Sequence, residues 1–119
     1  MNNKKIFIKT LKKATVVSCS DIISCEADGS YVQIQTRQGA VLTACKSLTQ
    51  VHKDIEVAYI IRISQSALVN VHCLTHVHYK DREVELANGK RIHYTVKKRE
   101  LEGLIDNGLS VDFEDTTPI

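Results

Sequence analysis

Short turns recur along this chain at a spacing that suits strands and leaves little room for helices. Asp28-Gly29 and Asn88-Gly89 are strong turn signals, and the second is typical of a two-residue hairpin. Arg37-Gln38-Gly39 marks another turn, and the preceding run, Tyr31–Thr36, alternates between apolar and polar side chains. Such alternation is typical of a strand with one buried face. The turns and the runs between them therefore predict a mainly β fold.

Two segments depart from this pattern and predict short helices. Ser47 and Gln50 fit a capping box, in which the serine hydroxyl and the glutamine amide satisfy free backbone N–H groups at a helix start. Apolar residues then recur at the spacing of one or two helical turns: Leu48, Val51 and Ile55. A second repeat, between residues 101 and 105, predicts a C-terminal helix that ends before Gly108. We place one domain at residues 1–108 and an acidic tail at residues 109–119.

Charge is distributed unevenly, although the formal net charge of the chain is only +2. All 16 Lys and Arg residues lie within residues 1–101 beside nine acids, so this part carries +7. Residues 102–119 hold the remaining five acids and no base. A basic body suits a polyanion such as nucleic acid, and we expect the acidic tail to be solvated or to screen that body.

No arrangement of residues in the sequence points to catalysis. The chain lacks a G-x-S-x-G motif, a Gly-rich phosphate loop and an H-E-x-x-H motif. No apolar run reaches the ~20 residues of a membrane helix, and the N-terminus lacks a signal-peptide core. The four cysteines form no C-x-x-C pair, so we expect buried free thiols rather than disulfides. We predict a cytoplasmic protein that is not an enzyme and carries no cofactor.

A group of histidines is the only cluster in the sequence that suggests metal binding. On a strand predicted over residues 68–79, His72, His76 and His78 would share one face while Cys73 points to the other. Three imidazoles could bind zinc, but a solvent-facing strand shows the same pattern, and no second Cys/His pair has ligand spacing. We predict that folding needs no metal, and a metal-responsive domain remains the weaker alternative.

Several short motifs follow one another in order and without large insertions. They are Asp21-Ile22, Glu26-Ala27, Gly29-Ser30-Tyr31-Val32, Gly39, Ser47-Leu48, Arg62, Ser66, Val69-Asn70, Asn88-Gly89 and Thr95-Val96-Lys97-Lys98. Each is weak alone, but the ordered set resembles the LytTR DNA-binding domain of bacterial transcription regulators. The resemblance implies an elongated domain of stacked small antiparallel sheets that inserts loops, rather than a recognition helix, into successive major grooves of DNA. Loops at both ends of such a domain could span the ~34 Å of one helical turn.

Three loops match the regions with which the family contacts DNA. The residues that the resemblance implies as contacts are Ser30, Tyr31, Arg62, Ser64, Gln65, Lys97, Lys98 and Arg99. Each has a structural alternative: Tyr31 as a packing residue, Arg62 as a member of an ion pair, and Ser64 and Gln65 as turn residues. The three bases of residues 97–99 could be a solvated helix start, although positive charge there opposes the helix dipole and favours an external anion. We expect Asn70 to support the backbone rather than to touch DNA.

The chain departs from the family pattern in the loop that reads bases. Where the family usually has a His-Arg pair before the serine, this chain has Ser64-Gln65; His93 replaces a proline, and Lys97 replaces the commoner arginine. Glutamine can bind adenine through N6 and N7, whereas arginine favours guanine. The resemblance therefore implies DNA binding with an altered sequence preference. The alternative is a protein-interaction module on a LytTR-like scaffold that has lost DNA readout.

The resemblance also implies partners. Family members commonly bind paired repeats in double-stranded DNA as dimers, so we expect a homodimer on DNA. Such domains often follow the receiver domain of a two-component response regulator, for which 119 residues leave no room. We therefore expect either a stand-alone regulator controlled by a membrane protein or a fragment of a longer regulator, and no small-molecule substrate.

Overall fold

A computed structural model describes residues 4–110, which form ten strands and two α-helices. The strands are β1 (Lys5–Lys9), β2 (Ala14–Ser18), β3 (Ile22–Asp28), β4 (Tyr31–Thr36), β5 (Val41–Ala44), β6 (Ile60–Ser64), β7 (Ala67–Asn70), β8 (Leu74–His78), β9 (Glu83–Leu86) and β10 (Arg91–His93). The helices are α1 (Leu48–Ile55) and α2 (Lys98–Leu109). Short 3-10 turns at Cys19–Asp21 and Val71–Cys73 lead into β3 and β8. The predicted mainly β class is confirmed.

The strands form three small antiparallel sheets. The largest has the order β5-β4-β3-β7-β6, and the others are the β1-β2 hairpin and the three-stranded sheet β10-β9-β8. Two of the predicted turns connect neighbouring strands through a glycine with positive φ, which is 61° at Gly29 and 87° at Gly89. A residue with a side chain would be strained in this left-handed region, so these glycines allow the tight hairpins. The predicted stack of small antiparallel sheets is confirmed.

The apolar faces predicted for β4 and α1 both lie in the core. Val32 and Ile34 of β4 are fully buried, while Gln33 and Gln35 lie on the other face of the sheet. The first turn of α1 begins with the predicted cap, because the Ser47 hydroxyl accepts a hydrogen bond from the Gln50 N–H at 3.1 Å. The other half of the capping box does not form. The Gln50 amide instead donates to Asp54 on the next turn, at 2.9 Å.

The continuous strand predicted over residues 68–79 is wrong, because the 3-10 turn at Val71–Cys73 divides it into β7 and β8, which belong to different sheets. Asn70 holds this turn. Its amide donates to the Ile22 carbonyl at 2.8 Å, and its side-chain oxygen accepts the His72 N–H at 2.9 Å. Asn70 is fully buried, so the expectation that it supports the backbone is confirmed.

Helix α2 runs past Gly108, and the prediction that it ends before this glycine is wrong. Gly108 is buried where α2 crosses the segment before β6. A Cβ at this position would lie 2.9 Å from both the Ala58 carbonyl oxygen and the Val71 Cγ2 atom. The glycine therefore serves close helix packing rather than helix termination. Of the acidic tail predicted at residues 109–119, Leu109 closes α2, and residues 111–119 lie outside the described part of the chain.

The domain is flat, with principal dimensions of 44 × 41 × 23 Å. The two long dimensions are nearly equal, so the domain is a slab rather than the elongated shape that the resemblance implied. None of the helices within residues 4–110 is long and apolar enough to cross a membrane.

Candidate nucleic-acid interface

Two of the three predicted contact loops lie at the same end of the five-stranded sheet. The β3–β4 turn carries Ser30 and leads into Tyr31, and the β6–β7 turn carries Gln65. Strands β3 and β7 are antiparallel neighbours in which Glu26 pairs with Ala67, and the Ala27 N–H donates to the Ser66 carbonyl at 2.9 Å. The end of β3 and the beginning of β7 therefore lie side by side, which brings their turns together.

The third loop lies at the same end of the sheet, next to β6, which is one of its two edge strands. The N–H groups of Thr95 and Val96 both donate to the Ile63 carbonyl, at 2.9 and 3.3 Å. This contact places Lys97 and the start of α2 beside the β6–β7 turn. We call residues 30–31, 62–65 and 97–99 together the interface row.

The order of the strands in the sheet determines the order of the three loops along the interface row. The β3–β4 turn lies at one end, the β6–β7 turn in the middle, and the start of α2 at the other end. With a strand spacing of ~4.8 Å, the row is about 17 Å long. The loops thus lie side by side on one edge, rather than at the two ends of the domain as the sequence had led us to expect.

Arg62 braces the central turn of the row. Its Nε donates to the Ser64 carbonyl at 3.1 Å and its Nη2 to the Gln65 carbonyl at 2.7 Å, while Nη1 donates to the Thr49 hydroxyl at 2.9 Å. The guanidinium therefore ties the turn to the first turn of α1. Three of its five N–H donors are used in this way. The predicted phosphate contact of Arg62 depends on the remaining two and stays a prediction.

Ser64 is part of the turn's framework, and Gln65 is its exposed tip. The Ser64 side chain is 9% exposed, and its hydroxyl accepts the Ser66 N–H at 3.1 Å. Gln65 is exposed, and its side chain forms no hydrogen bond to any residue in the range 4–110. The buried Ser64 side chain thus supports the turn, and the exposed Gln65 amide is free to form hydrogen bonds with the edge of a base.

Thr49 is a member of the site that sequence reasoning missed. Its hydroxyl accepts the Arg62 hydrogen bond, yet the sequence suggested only a position inside a capping box. The available signal was a hydroxyl in the first turn of a helix, which is too common to indicate a specific partner.

The outer members of the row are open to solvent. Ser30 is exposed and Tyr31 is 38% exposed, so Tyr31 packs in part against the sheet and still presents ring surface outside. At the other end, Lys97 is the N-cap residue of α2 and provides no side-chain cap. Lys97 and Arg99 are exposed and have no ion-pair partner among the described residues. The helix start therefore combines free backbone N–H groups with uncompensated positive charge, which favours an anion.

Lys98 has a neighbour on the three-stranded sheet. Its ammonium lies 4.5 Å from the centre of the Tyr79 ring, and the Tyr79 hydroxyl donates to Glu102 at 2.6 Å. The hydrogen bond to Glu102 raises the pKa of Tyr79, and the face of the aromatic ring attracts the Lys98 cation. The Tyr79 ring therefore holds Lys98 from one side, although the residue is exposed.

The four cysteines differ in exposure. Cys19, Cys25 and Cys73 are buried as predicted, and burial raises the pKa of the Cys25 thiol to about 12. Cys45 is exposed, contrary to the prediction, because it lies in the connection between β5 and α1. Its neighbour Ala44 pairs with Val32, so Cys45 lies close to the β3–β4 turn of the interface row.

The three histidines do not share one face, because His72 lies in the 3-10 turn before β8 and its ring is 5.5 Å from that of Tyr59. His76 and His78 remain on β8 and flank Glu85, with nitrogen-to-oxygen distances of 3.9 and 2.8 Å. The hydrogen bond from His78 lowers the pKa of Glu85. No group of three His, Cys, Asp or Glu residues in the described range could hold a metal ion.

Comparison with known proteins places this geometry in a family. A family model for the LytTr DNA-binding domain matches residues 12–104. Among solved structures, the chain is similar to a domain described as the LytTr DNA-binding domain of a methyl-accepting/DNA response regulator from Bacillus cereus. The pair has 18% sequence identity and a TM-score of 0.71, over 85% of this chain and 95% of that one, which shows a common fold. No curated protein matches this chain in sequence.

The family match spans all three loops of the interface row and most of the described residues. The chain therefore belongs to the LytTR family of DNA-binding domains.

Proposed function

We propose that this chain is the sequence-specific DNA-binding domain of a cytoplasmic bacterial transcription regulator. The observation that carries the proposal is the convergence of three loops on one edge, with the exposed Gln65 amide held between two solvent-facing ends of the interface row. Phosphate contacts position a protein on the duplex, and a few base contacts specify the site. The row offers groups of both kinds.

The roles within the row follow from exposure and charge. Lys97, Lys98 and Arg99 bind phosphates at the start of α2, where backbone N–H groups add to their attraction. Gln65 reads a base in the major groove, with adenine as the preferred partner of a bidentate amide. Arg62 and Ser64 shape the turn, and Arg62 directs its two remaining N–H groups to a phosphate. Ser30 and Tyr31 contact the sugar-phosphate backbone of the DNA at the other end of the row.

Dimerisation and regulation complete the proposal. A domain about 44 Å across covers little more than one turn of DNA, so paired repeats need two copies, and we expect a homodimer on DNA. A receiver domain in a two-component response regulator or a membrane protein would control its activity. A gel-shift titration with one and two repeats tests the dimer by the stoichiometry of the complex.

The sharpest test of readout compares two glutamines. Gln65→Ala should weaken binding to the preferred site by ~1–3 kcal/mol and leave binding to random DNA nearly unchanged. Gln38 is also exposed but lies in the β4–β5 turn, at the opposite end of the sheet, so Gln38→Ala is the matched control. The measurement is a mobility-shift titration on both DNAs. An equal loss on the two DNAs would overturn base reading by Gln65.

The alternative, a protein-interaction module, makes a different prediction in the same assay. It predicts no binding to promoter or random DNA even at low salt, where phosphate contacts are strongest. Strong salt dependence together with a selected motif supports the proposed function.

A further inference from the structure

The β1-β2 hairpin carries a concentration of positive charge that the interface row does not include. Residues 4–20 contain five lysines and no acid. Lys5, Lys9, Lys12 and Lys13 are exposed, and none of them forms an ion pair with another residue in the range 4–110. Like charges so close together repel one another, so an external anion would stabilise the hairpin.

The tip of the hairpin is an ordered turn. The Thr10 N–H donates to the Lys13 carbonyl at 2.8 Å, and the Thr10 hydroxyl donates to the same carbonyl at 2.9 Å. That hydroxyl also accepts the N–H groups of Lys12 and Lys13, at 3.4 and 3.2 Å. The backbone beneath the two lysines is therefore fixed before any ligand binds, which lowers the entropic cost of binding.

The hairpin points towards the end of the domain that carries the interface row. Near its base, Lys5 and Ser18 line one depression with Thr36 and Ala40, beside the β4–β5 turn. Farther along, Lys9 lines a crevice with Ala44. Ala44 pairs with Val32, next to Tyr31, so the hairpin runs along β5 in the direction of the β3–β4 turn. The tip, residues 10–13, continues beyond this point.

We propose that the hairpin tip, with Lys9, Lys12 and Lys13, is a fourth DNA contact that binds backbone phosphates beyond the Tyr31 end of the interface row. The inference rests on the proposed function and adds a contact to it. Strand β1 lies before residue 12, where the family match begins. With ~4.8 Å between strands along the row and ~10 Å between layers at right angles to it, the tip extends the row from about 17 Å to about 26 Å. The extended row covers most of the ~34 Å of one helical turn of DNA.

The test uses the full chain and two substitutions at the exposed tip. Each phosphate contact contributes about −0.9 to the slope of log affinity against log salt. Lys12→Gln/Lys13→Gln should therefore flatten this slope by up to about two, on the preferred site and on random DNA alike. Lys12→Arg/Lys13→Arg retains the charge and should keep the wild-type slope. The matched control is Lys53→Gln/Lys80→Gln, two exposed lysines outside the hairpin and the row.

DNA length locates the contact. On DNA that carries a single repeat, removing base pairs from one flank at a time should abolish the difference between wild type and Lys12→Gln/Lys13→Gln on one flank only. Thermal unfolding of the variant should match or exceed that of wild type, since repulsion between lysines is removed.

The outcomes separate the inference from the function on which it rests. If wild type binds DNA with a clear salt slope and the hairpin variant has the same slope, the fourth contact is wrong, and the lysines serve a partner of another class. If wild type does not bind at low salt, the proposed function fails and this inference fails with it.

Discussion

The interface row and the three-stranded sheet use positive charge in opposite ways. On the sheet, Arg91 lies 3.1 Å from Glu83 and 3.5 Å from Asp81, and Lys90 pairs with Glu26. In the row, Lys97 and Arg99 have no acidic partner within residues 4–110. The amino-acid types are the same in both regions. The two regions therefore differ in how these charges are paired rather than in the amino acids that carry them.

The largest expected effect comes from comparing two arginines, one from each region. Arg62→Ala removes the brace of the Gln65 turn and leaves the Ser64 and Gln65 carbonyls without their donor. We expect a loss of about 10- to 100-fold in affinity for the preferred site. This corresponds to the ~1–3 kcal/mol that it costs to leave hydrogen-bonding groups without their partners. Arg91→Ala removes only surface ion pairs and should leave DNA affinity unchanged. Mobility-shift titrations of both variants measure the difference, and equal losses would contradict the comparison.

The next effect concerns Lys97 and Lys98 at the start of α2, neither of which has an acidic partner among the described residues. Lys97→Gln/Lys98→Gln should weaken binding to all DNA sequences alike and flatten the salt slope by up to about two. Folded stability should hold or rise slightly, because positive charge at a helix N-terminus opposes the dipole. DNA affinity at four salt concentrations for wild type and variant measures the slope. Coinciding slopes would show that these lysines are only a solvated surface.

A smaller effect is expected on the reactivity of the Cys45 thiol, which reports directly which edge of the domain faces DNA. The other three cysteines are buried, and burial raises the pKa of each of their thiols, so Cys45 should react first with a maleimide. Bound DNA at the interface row should slow that reaction severalfold. Labelling rates followed by mass spectrometry, with and without DNA, measure this protection. An unchanged rate in the saturated complex would place the DNA on another edge.

The smallest effect tests a paired cation near the row. Lys46 lies 2.5 Å from Asp54, and hydrogen bonds from Lys46 and Gln50 lower the pKa of Asp54. This depressed pKa stabilises the fold above the unfolded carboxyl pKa of ~3.9, and the stabilisation is lost as the pH falls through the folded value. Asp54→Asn should lower the free energy of unfolding at pH 7 by less than about 1 kcal/mol, as for an exposed pair.

The pH dependence of the free energy of unfolding, measured for wild type and Asp54→Asn, distinguishes an effect of the ion pair from an effect of packing. Urea unfolding of wild type and Asp54→Asn should differ at pH 7 and converge as the pH falls through the folded pKa of Asp54, which lies below the usual carboxyl value of ~3.9. The variant also frees Lys46, which should steepen the DNA salt slope by at most about 0.9. A difference in stability that persists at low pH would show that the side chain acts by packing.

Local patterns in the sequence were sufficient for most of the elements. The alternation at Tyr31–Thr36, the turns at Gly29 and Gly89, and the apolar repeat of α1 all correspond to observed elements. Each of these patterns involves residues that belong to the same turn, strand or helix and are therefore close together in the sequence. The failures involve distant residues. Asn70 turns the chain between two sheets by a hydrogen bond to Ile22, and Gly108 lies inside α2, where Ala58 and Val71 leave no room for a side chain.

The candidate site divides in the same way. The order of short motifs along the chain was enough to predict the LytTR family, because these motifs are local and keep their order. The assignment of three loops as DNA contacts stays a prediction. The roles inside those loops required the folded chain. Arg62 braces the turn only because α1 brings Thr49 to it, and Lys98 meets Tyr79 only because α2 lies beside the three-stranded sheet.

By itself, then, the sequence determined most of the strands, the hairpins, the first helix and the family, since these follow from local propensity and from the order of motifs. Only the tertiary structure decided that three distant loops form one row, that the basic hairpin points to the same end, and which cations remain unpaired. The physical reason is that strand pairing and charge pairing join residues far apart in the chain. Their partners depend on register and packing, which no local pattern specifies.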